Sequence, residues 1–165
     1  MSSLQYDLSE AIALDNQDYG ALRSWGDDHT YKFLKNLPDD ESRERLVNEP
    51  SVLGGRQVYP LYEAQDKNNV ELFKLLLEAG ADPLKVYPAR TFQGVAREYK
   101  TAAESDALTI AIFFQRVKIV EAIVEVVKDK SLLKGHLAYA KKRLSSGWCE
   151  TSKEQINKII ELLSV

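Results

Sequence analysis

His29, His136 and Cys149 are the side chains of this 165-residue chain best suited to nucleophilic, acid–base or metal chemistry. A zinc site needs several Cys, His or carboxylate ligands at short, characteristic spacings, and neither histidine has such neighbours along the sequence. His29 follows Asp27-Asp28 and reads as a turn residue. Cys149, in SGWCET, has the chemistry of a nucleophile, but a lone cysteine reads more simply as a small packing residue. Asp27-Asp28 and Asp39-Asp40-Glu41 read as acidic helix starts, favoured by the helix dipole. An acid/base pair would need burial, to which nothing in these stretches points. No glycine-rich loop ends in Lys-Ser or Lys-Thr, so a phosphate-binding loop is not expected. Gly54-Gly55 in SVLGGRQVYP reads as the turn entering a helical unit. The expectation is a non-catalytic chain with no metal ligand and no cofactor.

The elements point elsewhere, to helix pairs. In YPLYEAQDKNNVELFKLLLEAGADP, residues 59–83, Pro60 suits the first turn of a short helix. Asn68 and Asn69 favour a turn. A second helix then carries Val70, Leu72, Phe73, Leu75, Leu76 and Leu77, a set wider than one stripe, as in a helix covered on most sides. Gly80 stands where a left-handed C-cap is wanted, and Asp82-Pro83 stops the helix from continuing. Such a unit cannot bury its leucines alone. The stretch 61–77 aligns without a gap on 108–124: Leu61 meets Leu108, Ala64 meets Ala111, Val70 meets Val117, Leu72 meets Ile119, and Leu76-Leu77 meet Ile123-Val124. Looser copies lie at 8–24 and, as LAYAKKRL plus EQINKIIELL, within 137–163. Repeated helix pairs argue a solenoid.

YPLYEA followed by NNVELFKLLLEAGADP resembles the ankyrin repeat family, with its T-P-L-H-x-A first helix and G-A-D ending. Tyr59 and Tyr62 stand where the family has threonine and histidine, and DALTIA replaces the first-helix signature in the 108–124 copy. Successive copies are 53 and 47 residues apart, against the family's roughly 33. The resemblance therefore implies an all-α chain. It would be one short α-solenoid domain over 1–165, with units at 6–28, 59–83, 106–128 and 134–164. Insertions at 31–47 and 85–104 separate them, with extra helix expected in the former. It also implies a concave binding face of turns and first helices, hence Arg56, Tyr59, Glu63, Asp66 and Lys67 as partner-binding residues. Trp25 and Trp148 would cover the two ends of the stack.

The segment 85–104 adds Tyr87, Arg90, Phe92, Arg97 and Tyr99, residue types enriched at protein interfaces. The simpler alternative is that Tyr87 and Phe92 fold back over neighbouring leucines. Bulk properties suit a globular chain: 44% hydrophobic and 28% charged residues, net charge −3. No apolar run approaches the ~20 residues of a membrane helix. No secretory signal opens the sequence, and one cysteine suits a reducing compartment, so a cytoplasmic location, or delivery into a host cytosol, is expected. The expected function is protein–protein interaction, as an adaptor, inhibitor or effector. The rivals are an enzyme with its site in the insertions, and nucleic-acid binding through the basic cluster Lys128, Lys130, Lys134, Lys141, Lys142 and Arg143.

Overall fold

A computed structural model describes residues 3–18, 29–53, 56–88, 104–146 and 150–164. The fold is all-α, as expected: every described element longer than three residues is a helix. The chain divides into two compact units, Met1–Asp82 and Pro83–Val165.

The first unit contains α1 (Ser3–Asp18), α2 (His29–Lys35), α3 (Asp40–Asn48), a hairpin of β1 (Ser51–Leu53) and β2 (Arg56–Val58), α4 (Pro60–Asp66) and α5 (Val70–Glu78). α2 and α3 overlap residues 31–47, where extra helix is expected from the sequence. α1 packs on α2, α3, α4 and β1, while α4 packs on α3 and α5. Leu8, Ile12, Leu46, Tyr62, Phe73 and Leu76 are all but fully buried. Polar side chains tie these helices together. Gln5, itself buried, donates from Nε2 to the carbonyls of Leu46 at 3.0 Å and Glu49 at 2.8 Å, at the C-terminal end of α3. The buried Asp15 carboxylate accepts the backbone N–H groups of His29 and Thr30, both at 2.9 Å, and so caps α2 from outside it. His29 therefore opens a helix and is not the turn residue read from its neighbours.

In the second unit, a two-residue pair of β3 (Tyr87–Pro88) and β4 (Glu104–Ser105) precedes α6 (Ala107–Phe113), α7 (Val117–Val126), a 3-10 turn (Lys130–Leu133), α8 (Lys134–Leu144) and α9 (Glu150–Leu163). α6 packs on α7 and α8, and α9 packs on both α7 and α8.

The two gap-free copies have the same local geometry. Asn68, with φ 51°, and Gln115, with φ 58°, take the left-handed conformation at aligned positions. At each, the next backbone N–H closes the same loop, Asn69 onto Ala64 at 3.0 Å and Arg116 onto Ala111 at 2.9 Å. Asn68 and Gln115 themselves donate to Gln65 at 2.8 Å and to Ile112 at 3.1 Å. This paired pattern is the Schellman helix end. Burial repeats with it: Leu61, Ala64, Leu72, Phe73, Leu76 and Leu77 are buried, and so are Leu108, Ala111, Ile119, Val120, Ile123 and Val124. Pro60 begins α4, and α5 ends in a third Schellman motif, with Gly80 at φ 102° and Ala81 N–H on the Leu76 carbonyl at 3.0 Å. The looser copy at 8–24 does not share the turn. Its aligned position, Asp15, lies inside the continuous helix α1. The candidate pair within 134–164 is present as α8 and α9.

Candidate functional site

Between α2, α3 and α5 the first unit carries an open groove of about 230 Å³. Tyr31, Leu34 and Lys35 line it from α2, Arg43 from α3, and Leu75 and Glu78 from α5, with Ala79 at the helix cap. Leu34 is buried, Leu75 and Ala79 are partly covered, and Tyr31 is 48% exposed, one of the larger apolar exposures among the described residues. The Leu75 side chain is exposed to the groove because α5 has more apolar residues than one buried face accepts. Leu72, Phe73, Leu76 and Leu77 take the core positions. Arg43 is held in place by an ion pair with Asp40 and by a 3.0 Å bond from its Nε to the Leu34 carbonyl. That arginine also joins α3 to the end of α2. Asp39 starts α3 by accepting the Ser42 N–H at 2.7 Å, and that bond holds its carboxyl below the usual carboxylate value.

The partner-binding residues expected from sequence fare unevenly. Tyr59 is corrected: it is 3% exposed, with its ring edge-on to Tyr62 at 5.3 Å, because the residue entering α4 turns inward. Glu63 is partly exposed, and its carbonyl accepts the Asn16 side-chain amide at 2.7 Å. Asp66 and Lys67 are exposed and adjacent at the end of α4. Arg56 and Tyr87 sit in paired strands, and their side chains lie outside the described residues. Arg90, Phe92, Arg97 and Tyr99 also lie outside them, as do Trp25, Trp148 and Cys149. The ends of the 85–104 segment are paired with each other, Tyr87 with Ser105 and Pro88 with Glu104. Sequence reading missed the groove. Two signals pointed to it: the surplus leucine at 75 and the tyrosine of YKFLK in a helix that must also bury Leu34.

The second unit holds the side chains nearest to acid–base chemistry. His136 does have a carboxylate neighbour, from 30 positions away: its Nε2 lies 2.7 Å from Asp106 Oδ2. Asp106 Oδ1 accepts the Thr109 N–H at 2.7 Å, capping α6. Both carboxylate oxygens are thus engaged, and His136 Nδ1 is buried without a hydrogen-bond partner among the described residues. The pair fastens α8 to the start of α6. The basic cluster is corrected at one position. Arg143 is 1% exposed, because it lies on the same stripe of α8 as the buried Tyr139 and Ala140. Its guanidinium stacks 4.5 Å from the Phe113 ring centre and donates to the Phe113 carbonyl at 3.3 Å, at the negative end of α6. Lys130 donates to the Val124 carbonyl, which leaves Lys128, Lys134, Lys141 and Lys142 as the exposed cations of that stretch.

Among the described residues no group of three or more His, Cys, Asp or Glu is arranged to hold a metal, and no helix is long and apolar enough to cross a membrane. No protein-family model matches the chain, and neither a curated protein nor a solved structure matches it.

Proposed function

We propose that this chain is a non-catalytic protein-binding module built from ankyrin-like helix pairs. The observation that carries the reading is the α2–α3–α5 groove. It is open, floored by apolar side chains and walled by a half-exposed tyrosine. Its volume of about 230 Å³ lies below the roughly 300–1,000 Å³ of small-molecule sites. It suits one anchoring side chain from a larger partner, which is how protein interfaces concentrate their affinity. The helix-pair repeat supports the ankyrin-like part of the reading, since Asn68 and Gln115 make the same left-handed turn 47 positions apart. Arg56, Glu63, Asp66 and Lys67 of the first unit, and separately Tyr87, Arg90, Phe92, Arg97 and Tyr99 of the segment 85–104, remain proposed partner-binding residues.

Photo-crosslinking tests it. Benzoylphenylalanine is placed at position 31, at position 92 and, as a control, at the exposed position 125. Protein adducts from 31 or 92, and none from 125, are the expected result. A chain that folds normally and gives no protein adduct from either 31 or 92 overturns the reading.

A further inference from the structure

We infer that the α2–α3–α5 groove receives an apolar side chain from a cationic peptide segment, with the segment's lysine or arginine meeting the α5 end of the groove; this rests on the protein-binding reading above. The floor of Leu34, Leu75 and Ala79 calls for an apolar anchor, and Tyr31 adds exposed aromatic area beside it. The charges decide what flanks that anchor. Arg43 is neutralised by Asp40 and bonded to the Leu34 carbonyl. Lys35 lies over the Tyr31 ring, 5.8 Å from its centre, at the α2 end. Glu78, at the α5 end, is exposed and makes neither a hydrogen bond nor an ion pair among the described residues. On α3, Glu44 packs closely on the turn after α5, where its Cγ would be 2.8 Å from a Cβ on Gly80. Glu78 is therefore a carboxylate at the α5 end with no ion pair among the described residues, although Lys74 lies one turn back on the same helix. The wider field agrees. Met1–Asp82 carries 8 Lys/Arg against 16 Asp/Glu, a formal −8, whereas Pro83–Val165 carries 14 against 9, a formal +5. A field of that sign draws cations towards the first unit and repels acidic competitors.

The test uses the full chain and three fluorescein-labelled peptides. They share one leucine/phenylalanine spacing and differ only at their remaining positions, which are all lysine, all glutamine or all glutamate. Fluorescence anisotropy should show the lysine peptide binding at least about tenfold more tightly than the glutamine peptide, and the glutamate peptide not binding. Glu78→Lys should weaken the lysine peptide about tenfold, while Glu10→Lys, the same charge change at an exposed position on α1, should leave it within about twofold. Tyr31→Ala should abolish binding and Tyr31→Phe should retain it, both with the circular dichroism of the parent. Equal binding of the glutamine or glutamate peptide, or an equal loss from Glu10→Lys and Glu78→Lys, overturns the inference, the last by showing diffuse attraction. Binding of none of the three overturns it as well. If crosslinks to protein still form from position 31 or 92 in that case, the protein-binding reading stands and only the cationic occupant falls.

Discussion

Replacing Gly80 with alanine tests the packing of the first unit at a point where sequence and structure give separate reasons for the same residue. The backbone φ is 102°, outside the range L side chains favour, and an L residue held in left-handed geometry costs about 1–2 kcal/mol. Space is a second term. A Cβ there would meet Glu44 Cγ at 2.8 Å, Glu44 Cβ at 3.1 Å and Glu44 Cα at 3.4 Å. Rotating the Glu44 side chain can relieve the Cγ contact but not the Cβ contact, which moves only with the backbone of α3. Asn48 holds α3 to this turn, donating to the Gly80 carbonyl at 2.9 Å and accepting the Asp82 N–H at 2.7 Å. Forcing a methyl group into such a contact costs a further 1–3 kcal/mol or so. Gly80→Ala should therefore lose about 2–5 kcal/mol, which moves a urea midpoint by roughly 1–3 M. Glu44→Ala removes the closest atom and, at an exposed position, should by itself cost within about 0.5 kcal/mol. In that background the Gly80→Ala penalty should shrink by at least about 0.5 kcal/mol. An equal penalty in both backgrounds would refute the steric account and leave only the backbone term. A Gly80→Ala midpoint within error of the parent would refute both.

Other outcomes follow from the same reasoning. Gln115→Gly should raise the melting temperature of the second unit, since glycine removes about 1–2 kcal/mol of left-handed strain and adds back only about 0.5–1 in unfolded-chain entropy; a fall in stability would show the turn to be held by the glutamine side chain. Asp106→Ala should cost about 2–4 kcal/mol by thermal melting, combining a lost cap with a part-buried His136 left without its acceptor, and a loss below about 1 kcal/mol would mean the pair does not hold α8 to α6. Asp39 has a folded pKa below its unfolded value, so its stabilisation is complete above the unfolded pKa and is lost as pH falls through the folded one. Asp39→Asn should accordingly flatten the acid limb of a melting-temperature profile while changing the neutral plateau little.

The helix pairs were legible because their signals are local. Apolar spacing, Pro60 at a first turn and Gly80 at a left-handed cap each concern residues within one turn of one another. Asn68 was legible as a turn residue on its own chemistry. Gln115 was not, and only its alignment with Asn68 marks it, since glutamine has no particular liking for the left-handed conformation. What stayed hidden was every polar side chain that sits in a buried stripe and finds its partner far along the chain. Arg143 was grouped with Lys141 and Lys142 because they are neighbours in sequence. On a helix Lys141 and Arg143 point about 200° apart, and Arg143 instead shares its face with Tyr139 and Ala140. Its acceptor is the carbonyl of Phe113, 30 residues away. His136 needed Asp106, and Gln5 needed Leu46 and Glu49, at comparable separations. A buried polar group must be satisfied, but sequence does not say by which distant atom. The groove was hidden for the complementary reason. Leu75 was read as one more core leucine, yet the core positions of α5 were already filled. Whether a surplus apolar residue becomes core or surface depends on the neighbouring helices. Here α2 and α3 flank Leu75 without covering it fully. Helices packed beside a helix pair can therefore leave a partly open apolar site, and that is the physical reason to test partner recognition at this groove.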